Sequence, residues 1–378
     1  MHISRKAQDI KPFLVMDILE AAHELPAEMD VIHLEVGEPD FDTPKCVRDA
    51  AIRAMEEGKT HYTHSLAIPE LREAICAHYK RTYGISIDPS QVLVTAGSSA
   101  ALLIAFTVLL DAGDRIIMTD PHYACYPNFA RVLDAAVDYV PTRQDGFKLD
   151  PERVKSAVCN NTRAILINSP SNPTGVCLDE DRMKALAISG ITVISDEIYH
   201  GLIYEGEQHT MLEYTEDSIV INGFSKAWAM TGWRLGWAIF PKRLIRPAQK
   251  IQQNLVICAP SVAQWAGVAA LNEAGPDCEA MKSVFAKRRL VMLAEMEKYG
   301  FRLESRPTGA FYVMANIDHI SDDSYRLAFD ILKNTGVGVT PGIDFGHSVK
   351  SFIRFSYANS EANIIEGIRR VGGYLKGL

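Results

Sequence analysis

The middle of the chain alternates short, continuously apolar runs with stretches of helical periodicity. Runs of this kind, rich in Val and Ile, are typical of strands buried on both faces of a parallel sheet, with helices as the connections. The predicted strands are 91–95, 115–119, 137–140, 163–168, 192–195 and 218–222, and the predicted helices include Ser98–Leu110 and a stretch from Tyr123. The pattern predicts an α/β protein whose three-layer large domain is built on a mainly parallel, mixed sheet.

The two ends of the chain have a different pattern. The N-terminal stripe of apolar residues has helical spacing and consists of Leu14, Ile18, Ala22 and Leu25. A long helical region at 276–300 is followed by separated strands at 310–314, 338–340 and 351–357, and by a last helix with Ser360 as its N-cap. We therefore predict three regions, with a ligand cleft between the domains: an N-terminal arm with part of the small domain (1–45), a large domain (46–275) and a small α+β domain (276–378).

Composition excludes several classes of protein. The 378 residues are 47% hydrophobic and carry 39 Lys and Arg against 47 Asp and Glu, a net charge of −8. Without a dense Lys/Arg run we expect no nucleic-acid partner, and without a long apolar run we expect no membrane contact. Seven scattered cysteines without a CxxC pair indicate reduced thiols, and the histidine spacing suggests no metal site. These features predict a cytoplasmic protein.

Side chains that can react or bind a ligand follow the predicted strands, and ligands bind at the carboxyl ends of the strands in open parallel sheets. Lys226 comes just after the run that ends at Asn222. A partly desolvated lysine has a lowered pKa and forms a Schiff base readily. Ser225 and Arg234 have the donors to bind a phosphate, although an exposed lysine and arginine are the plainer interpretation of this segment.

Asp196 and Glu197 follow another strand. A buried carboxylate needs a cationic partner or a metal, and a protonated pyridine nitrogen would serve. Tyr199 then offers a hydroxyl to a phenolate oxygen. The competing interpretation is the Walker B motif of a nucleoside triphosphatase, but Arg53 occupies the position where a Walker A loop would need its first glycine.

Two further turns offer ligand contacts. Ser98 and Ser99 follow Gly97 at the predicted start of a helix, where backbone N–H groups bind anions. A GxGxxG fingerprint is missing, which favours a single phosphate over a dinucleotide. Asn172 is restricted by the following proline and suits holding a ligand oxygen. An ordinary helix cap and an ordinary Asx-Pro turn remain the alternatives.

Taken together, the segments NPTG, SDEIY and SKAWAMTGWRLG resemble the class I/II pyridoxal-phosphate-dependent aminotransferases, the aspartate aminotransferase-like enzymes of fold type I. The similarity extends from GEPDFDTP (37–44) to FIRFSYA (352–358). It implies that Lys226 forms the Schiff base with pyridoxal 5'-phosphate and that Asp196 pairs with the ring nitrogen. It further implies that Tyr199 and Asn172 contact the phenolic oxygen and that Tyr123 stacks on the ring. The implied phosphate ligands are Ser98, Ser99, Ser225 and Arg234.

The resemblance also has consequences for assembly and backbone. In the family, a tyrosine at the position of Tyr62 reaches the phosphate of the neighbouring subunit, which implies a homodimer with shared active sites. Cis peptide bonds are expected before Pro121 and Pro173.

Arg354 is the expected contact for the substrate. Along its strand it alternates with Ile353 and Phe355, so we expect it to face away from the apolar side. By the resemblance it would bind the α-carboxylate of an L-amino acid in a bidentate manner, assisted by Asn172 and the backbone near Gly37.

Substrate choice depends on positions outside the shared motifs. Aspartate-preferring members carry short hydroxyl residues after the first Lys-Pro and a lysine in the phosphate turn, whereas Phe13, Val15 and Ser99 stand here. We therefore expect aromatic or large apolar donors, with 2-oxoglutarate as acceptor. The alternatives are a C–S β-lyase that uses the same cofactor and, from another class, a cofactor-binding regulatory module.

Overall fold

The structure is a computed structural model, which describes residues 2–26 and 28–378. Its strands are β1 (Ile32–His33), β2 (Val92–Thr95), β3 (Arg115–Asp120), β4 (Ala136–Pro141), β5 (Thr162–Asn168), β6 (Thr192–Asp196), β7 (Ile219–Gly223), β8 (Gly236–Ile239), β9 (Tyr312–Asn316), β10 (Val337–Gly338), β11 (Thr340–Pro341) and β12 (Phe352–Ser356). Its α-helices are α1 (Arg5–Asp9), α2 (Leu14–His23), α3 (Lys45–Glu56), α4 (Pro69–Tyr83), α5 (Ser98–Leu109), α6 (Tyr126–Val132), α7 (Pro151–Ala157), α8 (Glu180–Ala187), α9 (Lys242–Leu255), α10 (Ser261–Glu273), α11 (Gly275–Tyr299), α12 (Ser324–Thr335) and α13 (Glu361–Leu375).

The large sheet has the strand order β2-β8-β7-β6-β5-β3-β4. Strand β8 runs antiparallel to β2 and β7, whereas the pairs from β7 to β4 are parallel. The predicted α/β class with a mainly parallel, mixed sheet is therefore confirmed.

Successive side chains along the strands of the large sheet pack alternately in two separate hydrophobic cores, one on each face of the sheet. In β5, Ile165 and Ile167 pack in one core, and Ala164 and Leu166 pack in the other. Helices α3, α4 and α10 cover the first core, and α5, α6 and α9 cover the second. Because both faces are covered, the strands are continuously apolar rather than alternating.

Two smaller sheets join the ends of the chain. Strands β11, β12 and β9 form an antiparallel sheet, and β1 pairs with β10 in parallel. Residues of α2, α11, α12 and α13 share one core with these strands. The predicted Ser360 cap is confirmed, because its Oγ accepts a hydrogen bond of 3.1 Å from Asn363 N. The predicted domain limits at residues 45 and 275 stay a prediction.

Some predicted boundaries were wrong by a few residues. The strand expected at 310–314 lies at Tyr312–Asn316, since Ala310 has a left-handed φ of 54° that interrupts extended backbone. The helix expected from Tyr123 begins at Tyr126, with Pro127 in its first turn. The single strand expected at 338–340 is divided between β10 and β11, which pair with different strands.

Cis peptide bonds precede Pro121 and Pro173, as predicted, and also Pro170, which was not predicted. None of the described helices combines the length and the apolar character that crossing a membrane requires.

Gly236 allows the turn before α5 to approach β8 closely. A Cβ at position 236 would lie 2.8 Å from Ser98 N and 2.9 Å from the Gly97 carbonyl carbon, so the backbone of this turn would have to shift. We expect Gly236→Ala to lower the free energy of unfolding by about 1–3 kcal/mol in urea denaturation, the usual cost of overpacking. Gly232→Ala is the matched control, because nothing lies within 4 Å of its added Cβ. Equal stability of the two variants would contradict this account.

Candidate active site

A cavity of about 450 Å³ opens beyond the carboxyl ends of β5, β6 and β7, between the large sheet, the sheet of β11, β12 and β9, and the N-terminal segment that includes α2. Its wall contains every predicted site residue except Tyr62, namely Gly37, Ser98, Ser99, Tyr123, Asn172, Asp196, Tyr199, Ser225, Lys226, Arg234 and Arg354. Tyr62 is 81% exposed and lies outside this wall. The fold thus brings together residues that are separated by more than three hundred positions in the chain.

Lys226 lies in the turn that follows β7, and its Nζ donates a hydrogen bond of 2.6 Å to the Gly37 carbonyl. Burial lowers the pKa of Lys226 to about 8, and the positive charges of Arg354 and Arg234 act in the same direction against Glu38 and Asp196. An amine with such a pKa is partly neutral near physiological pH. It can therefore act as a nucleophile or accept a proton.

Asp196 is the last residue of β6 and is 3% exposed. Burial raises its pKa to about 6, although hydrogen bonds from Tyr126 Oη at 2.6 Å and Ile198 N at 3.1 Å favour the ionised form. A carboxylate in this setting gains from a cationic partner within reach. The neighbouring Glu197 does not line the cavity, because its Oε1 accepts from Thr210 and from Met211 N instead.

The anion-binding part of the cavity lies at the N-terminus of α5. Gly97 precedes the helix with a left-handed φ of 84°, and Ser98 begins it. The guanidinium of Arg234 lies directly against Gly97, since a Cβ there would be 2.5 Å from Arg234 Nη2. Arg234 Nη1 also donates to Thr231 O at 2.8 Å. With Ser225 in the same wall, this corner offers backbone and side-chain donors and a positive charge to one anion.

Arg354 is buried, with an exposed fraction of 2%. Its Nη1 donates to Asn172 Oδ1 at 2.8 Å, and its Nη2 donates to Glu35 O at 2.6 Å and Thr340 Oγ1 at 3.1 Å. As expected, Arg354 points away from the apolar face of its strand, whose Ile353 and Phe355 pack in the hydrophobic core while Arg354 lines the cavity. The other face of β12 is also buried, and the guanidinium lies over the rings of Tyr312 and Phe345. Aromatic faces tolerate a guanidinium that an aliphatic surface would not.

Several residues of the cavity wall were not predicted from the sequence. Asn168 Oδ1 accepts a hydrogen bond of 2.7 Å from Asn172 N, and its place at the end of β5 is a signal that could have revealed it. Tyr126 and Tyr312 belong to no strand end of the large sheet, so no comparable signal existed for them. In the same wall, Thr231 Oγ1 donates a hydrogen bond to Glu38 Oε1.

Comparison with known proteins gives the family. Residues 29–371 match the model of the family described as aminotransferase class I and II. The chain is 42% identical to a (5-formylfuran-3-yl)methyl phosphate transaminase of Methanocaldococcus jannaschii, with 99% of each chain covered. It is 37% identical to an aspartate aminotransferase of Pyrococcus horikoshii, with 99% of this chain and 97% of the relative covered.

A solved structure supports the same assignment. A Methanococcus jannaschii protein, described as similar in its active site to kynurenine aminotransferases, matches with a TM-score of 0.92. It is 41% identical, and the match covers 99% of this chain and 100% of the other. The chain therefore belongs to the class I and II aminotransferases and is a transaminase that depends on pyridoxal 5'-phosphate.

Proposed function

We propose that the chain transfers the α-amino group of an aromatic or large apolar L-amino acid to a 2-oxo acid such as 2-oxoglutarate. The observation that carries this proposal is the convergence of an amine, a carboxylate and a guanidinium, those of Lys226, Asp196 and Arg354, in one cavity. Each has a separate partner in the reaction: the cofactor aldehyde, the cofactor ring nitrogen and the substrate carboxylate.

The donor set of the cavity fits pyridoxal 5'-phosphate. A phosphate matches the helix N-terminus with its serines and Arg234, and a protonated ring nitrogen matches the buried carboxylate of Asp196. We assign Ser98, Ser99 and Ser225 to the phosphate, Tyr199 and Asn172 to the phenolic oxygen, and Tyr123 to the ring face. When bound, the cofactor supplies an electron sink for the electron pair left at the substrate Cα.

The residues of the chain would orient the substrate and move its protons. Arg354 and Asn172 would hold the α-carboxylate, which fixes the direction of the Cα–H bond relative to Lys226. The amine of Lys226 would then take the proton from Cα, a general-base step that contributes roughly 10²–10⁴-fold to the rate. Asp196 would keep the ring nitrogen protonated through its negative charge.

The part of the cavity that would hold the substrate side chain supports the proposal of apolar amino donors. The N-terminal arm contributes Phe13, Val15, Met16 and Leu19 to the wall. The cations that line the cavity within residues 2–26 and 28–378 are Lys226, Arg234 and Arg354, and each has another role. A distal carboxylate would thus be desolvated against apolar groups without a partner, which is unfavourable. The relatives named above differ in substrate, so family membership does not decide the donor.

Assembly and location are part of the proposal. We infer a homodimer in which Tyr62, being 81% exposed, is available to reach the phosphate of the partner's site. The seven free cysteines support a cytoplasmic location, where thiols remain reduced.

The pKa of Lys226 predicts how the cofactor-free protein takes up pyridoxal phosphate. Only the neutral amine attacks the aldehyde, and burial lowers the pKa of Lys226 to about 8. The rate of appearance of visible absorbance should therefore rise about tenfold per pH unit below pH 8 and level off above it. A rate that continues to rise to pH 10, as for an ordinary lysine, would contradict the assignment.

Lys226→Ala is expected to abolish the visible absorbance of the lysine–cofactor link and nearly all turnover, because both the covalent link and the general base are lost. Absorbance spectra and a coupled transamination assay measure the two effects. The matched control is Lys45→Ala on the surface, whose side chain is 80% exposed. Transamination by Lys226→Ala at close to the normal rate would refute the proposal.

A panel of amino donors tests the substrate class. With 2-oxoglutarate as acceptor, kcat/KM for phenylalanine, tyrosine or methionine should exceed that for aspartate by about 10–100-fold. The amount of cofactor converted to its amino form by each donor gives an independent readout. Faster use of aspartate would reverse the substrate assignment. Release of pyruvate and ammonia from cystathionine, without any 2-oxo acid, would identify a C–S lyase instead.

A further inference from the structure

Tyr312 contacts two functional groups that belong to different ends of the cavity. It is the first residue of β9 and is 1% exposed. The guanidinium carbon of Arg354 lies 4.3 Å from the centroid of its ring, and its hydroxyl lies 2.9 Å from the hydroxyl of Tyr199. The small domain therefore contributes through this one side chain to both the carboxylate site and the cofactor site.

The guanidinium of Arg354 lies over the ring of Tyr312. Phe345 lies close to the same group, with its centroid 4.7 Å from the guanidinium carbon. Stacking on aromatic rings holds a guanidinium in orientation while leaving its N–H groups in the plane free to donate. Bidentate recognition of a carboxylate requires such a fixed plane.

The number of available hydrogens decides which hydroxyl donates the hydrogen bond between Tyr312 and Tyr199. A phenol has one hydrogen to donate. If Tyr199 donates its hydrogen to the phenolic oxygen of the cofactor, the bond between the two hydroxyls must use the hydrogen of Tyr312. Two hydrogen bonds in series polarise each other, so Tyr199 becomes a stronger donor.

The position of this hydroxyl depends on a glycine. A Cβ at Gly37 would collide with the hydroxyl oxygen of Tyr312, and the carbonyl of the same glycine accepts from Lys226. The absence of a side chain at position 37 therefore leaves room for the hydroxyl of Tyr312.

We propose that Tyr312 is a positioning residue for the transamination proposed above, on which this inference rests. Its ring orients Arg354 for the substrate carboxylate, and its hydroxyl donates to Tyr199 and so strengthens the hydrogen bond from Tyr199 to the cofactor. The two roles are separable, because phenylalanine keeps the ring and removes the hydroxyl, whereas leucine removes both.

The test compares Tyr312→Phe and Tyr312→Leu in the holoprotein. The first readout is the pH midpoint of the visible absorbance of the bound cofactor. A donor to the phenolic oxygen stabilises the anion left when the lysine–cofactor link loses its proton, so a weaker donor raises this midpoint. We expect an upward shift of about 0.3–0.6 pH unit in both variants.

The second readout is the Kd of a carboxylate without an amino group, either 3-phenylpropionate or succinate, whichever the wild-type protein binds more tightly. We expect a change of less than about twofold for Tyr312→Phe and a weakening of about 3–30-fold for Tyr312→Leu. If Tyr312→Leu fails to fold, the midpoint shift in Tyr312→Phe decides the proposal.

Tyr357→Phe is the matched control. This phenol is also fully buried in the small domain, and its hydroxyl donates to Ala310 O at 3.1 Å, away from the cavity wall. It should leave both readouts unchanged. An unchanged midpoint in Tyr312→Phe, or an equal shift in Tyr357→Phe, would overturn the proposal. Failure of the proposed function would instead appear as visible absorbance that does not depend on Lys226.

Discussion

The buried positive charge of Arg354 is the constraint on which the proposed substrate end of the cavity depends. The guanidinium is 2% exposed, and within the described residues its hydrogen-bond acceptors are neutral oxygens of Asn172, Glu35 and Thr340 rather than a carboxylate. Asp344 also attracts the guanidinium electrostatically, but a buried charge that is hydrogen-bonded to neutral groups remains costly, and a ligand that brings a carboxylate into direct contact relieves the cost. The electrostatics of Arg354 thus favour a ligand with a carboxylate, which the proposed amino acid and 2-oxo acid substrates both carry.

Three parts of the chain are needed to hold that guanidinium. Arg354 itself belongs to β12, Asn172 to the turn that follows β5 of the large sheet, and Glu35 to the segment that follows β1. The parallel pairing of β1 with β10 brings this N-terminal segment to the small domain. The hydrogen-bonded surroundings of Arg354 therefore form only when all three parts are packed together.

Burial shifts the pKa values of the two groups that would serve the cofactor in opposite directions. It lowers the pKa of Lys226 to about 8 and raises the pKa of Asp196 to about 6, so both move toward neutral pH. Desolvation disfavours the charged form of each group, whichever its sign. One cavity thereby provides a reactive amine and a carboxylate ready to pair with a cation.

The sequence by itself determined the class of fold and identified the candidate site residues at the ends of strands of the large sheet, such as Asp196 and Lys226. The reason is geometric, because the carboxyl ends of parallel strands meet at one edge and the strands are readable as apolar runs. Tertiary structure alone decided that Glu197 does not line the cavity, that Arg354 lies over the rings of Tyr312 and Phe345, and that Tyr312 links Arg354 to Tyr199. These contacts join residues far apart in the chain and depend on how the small domain packs on the sheet, which local periodicity does not encode.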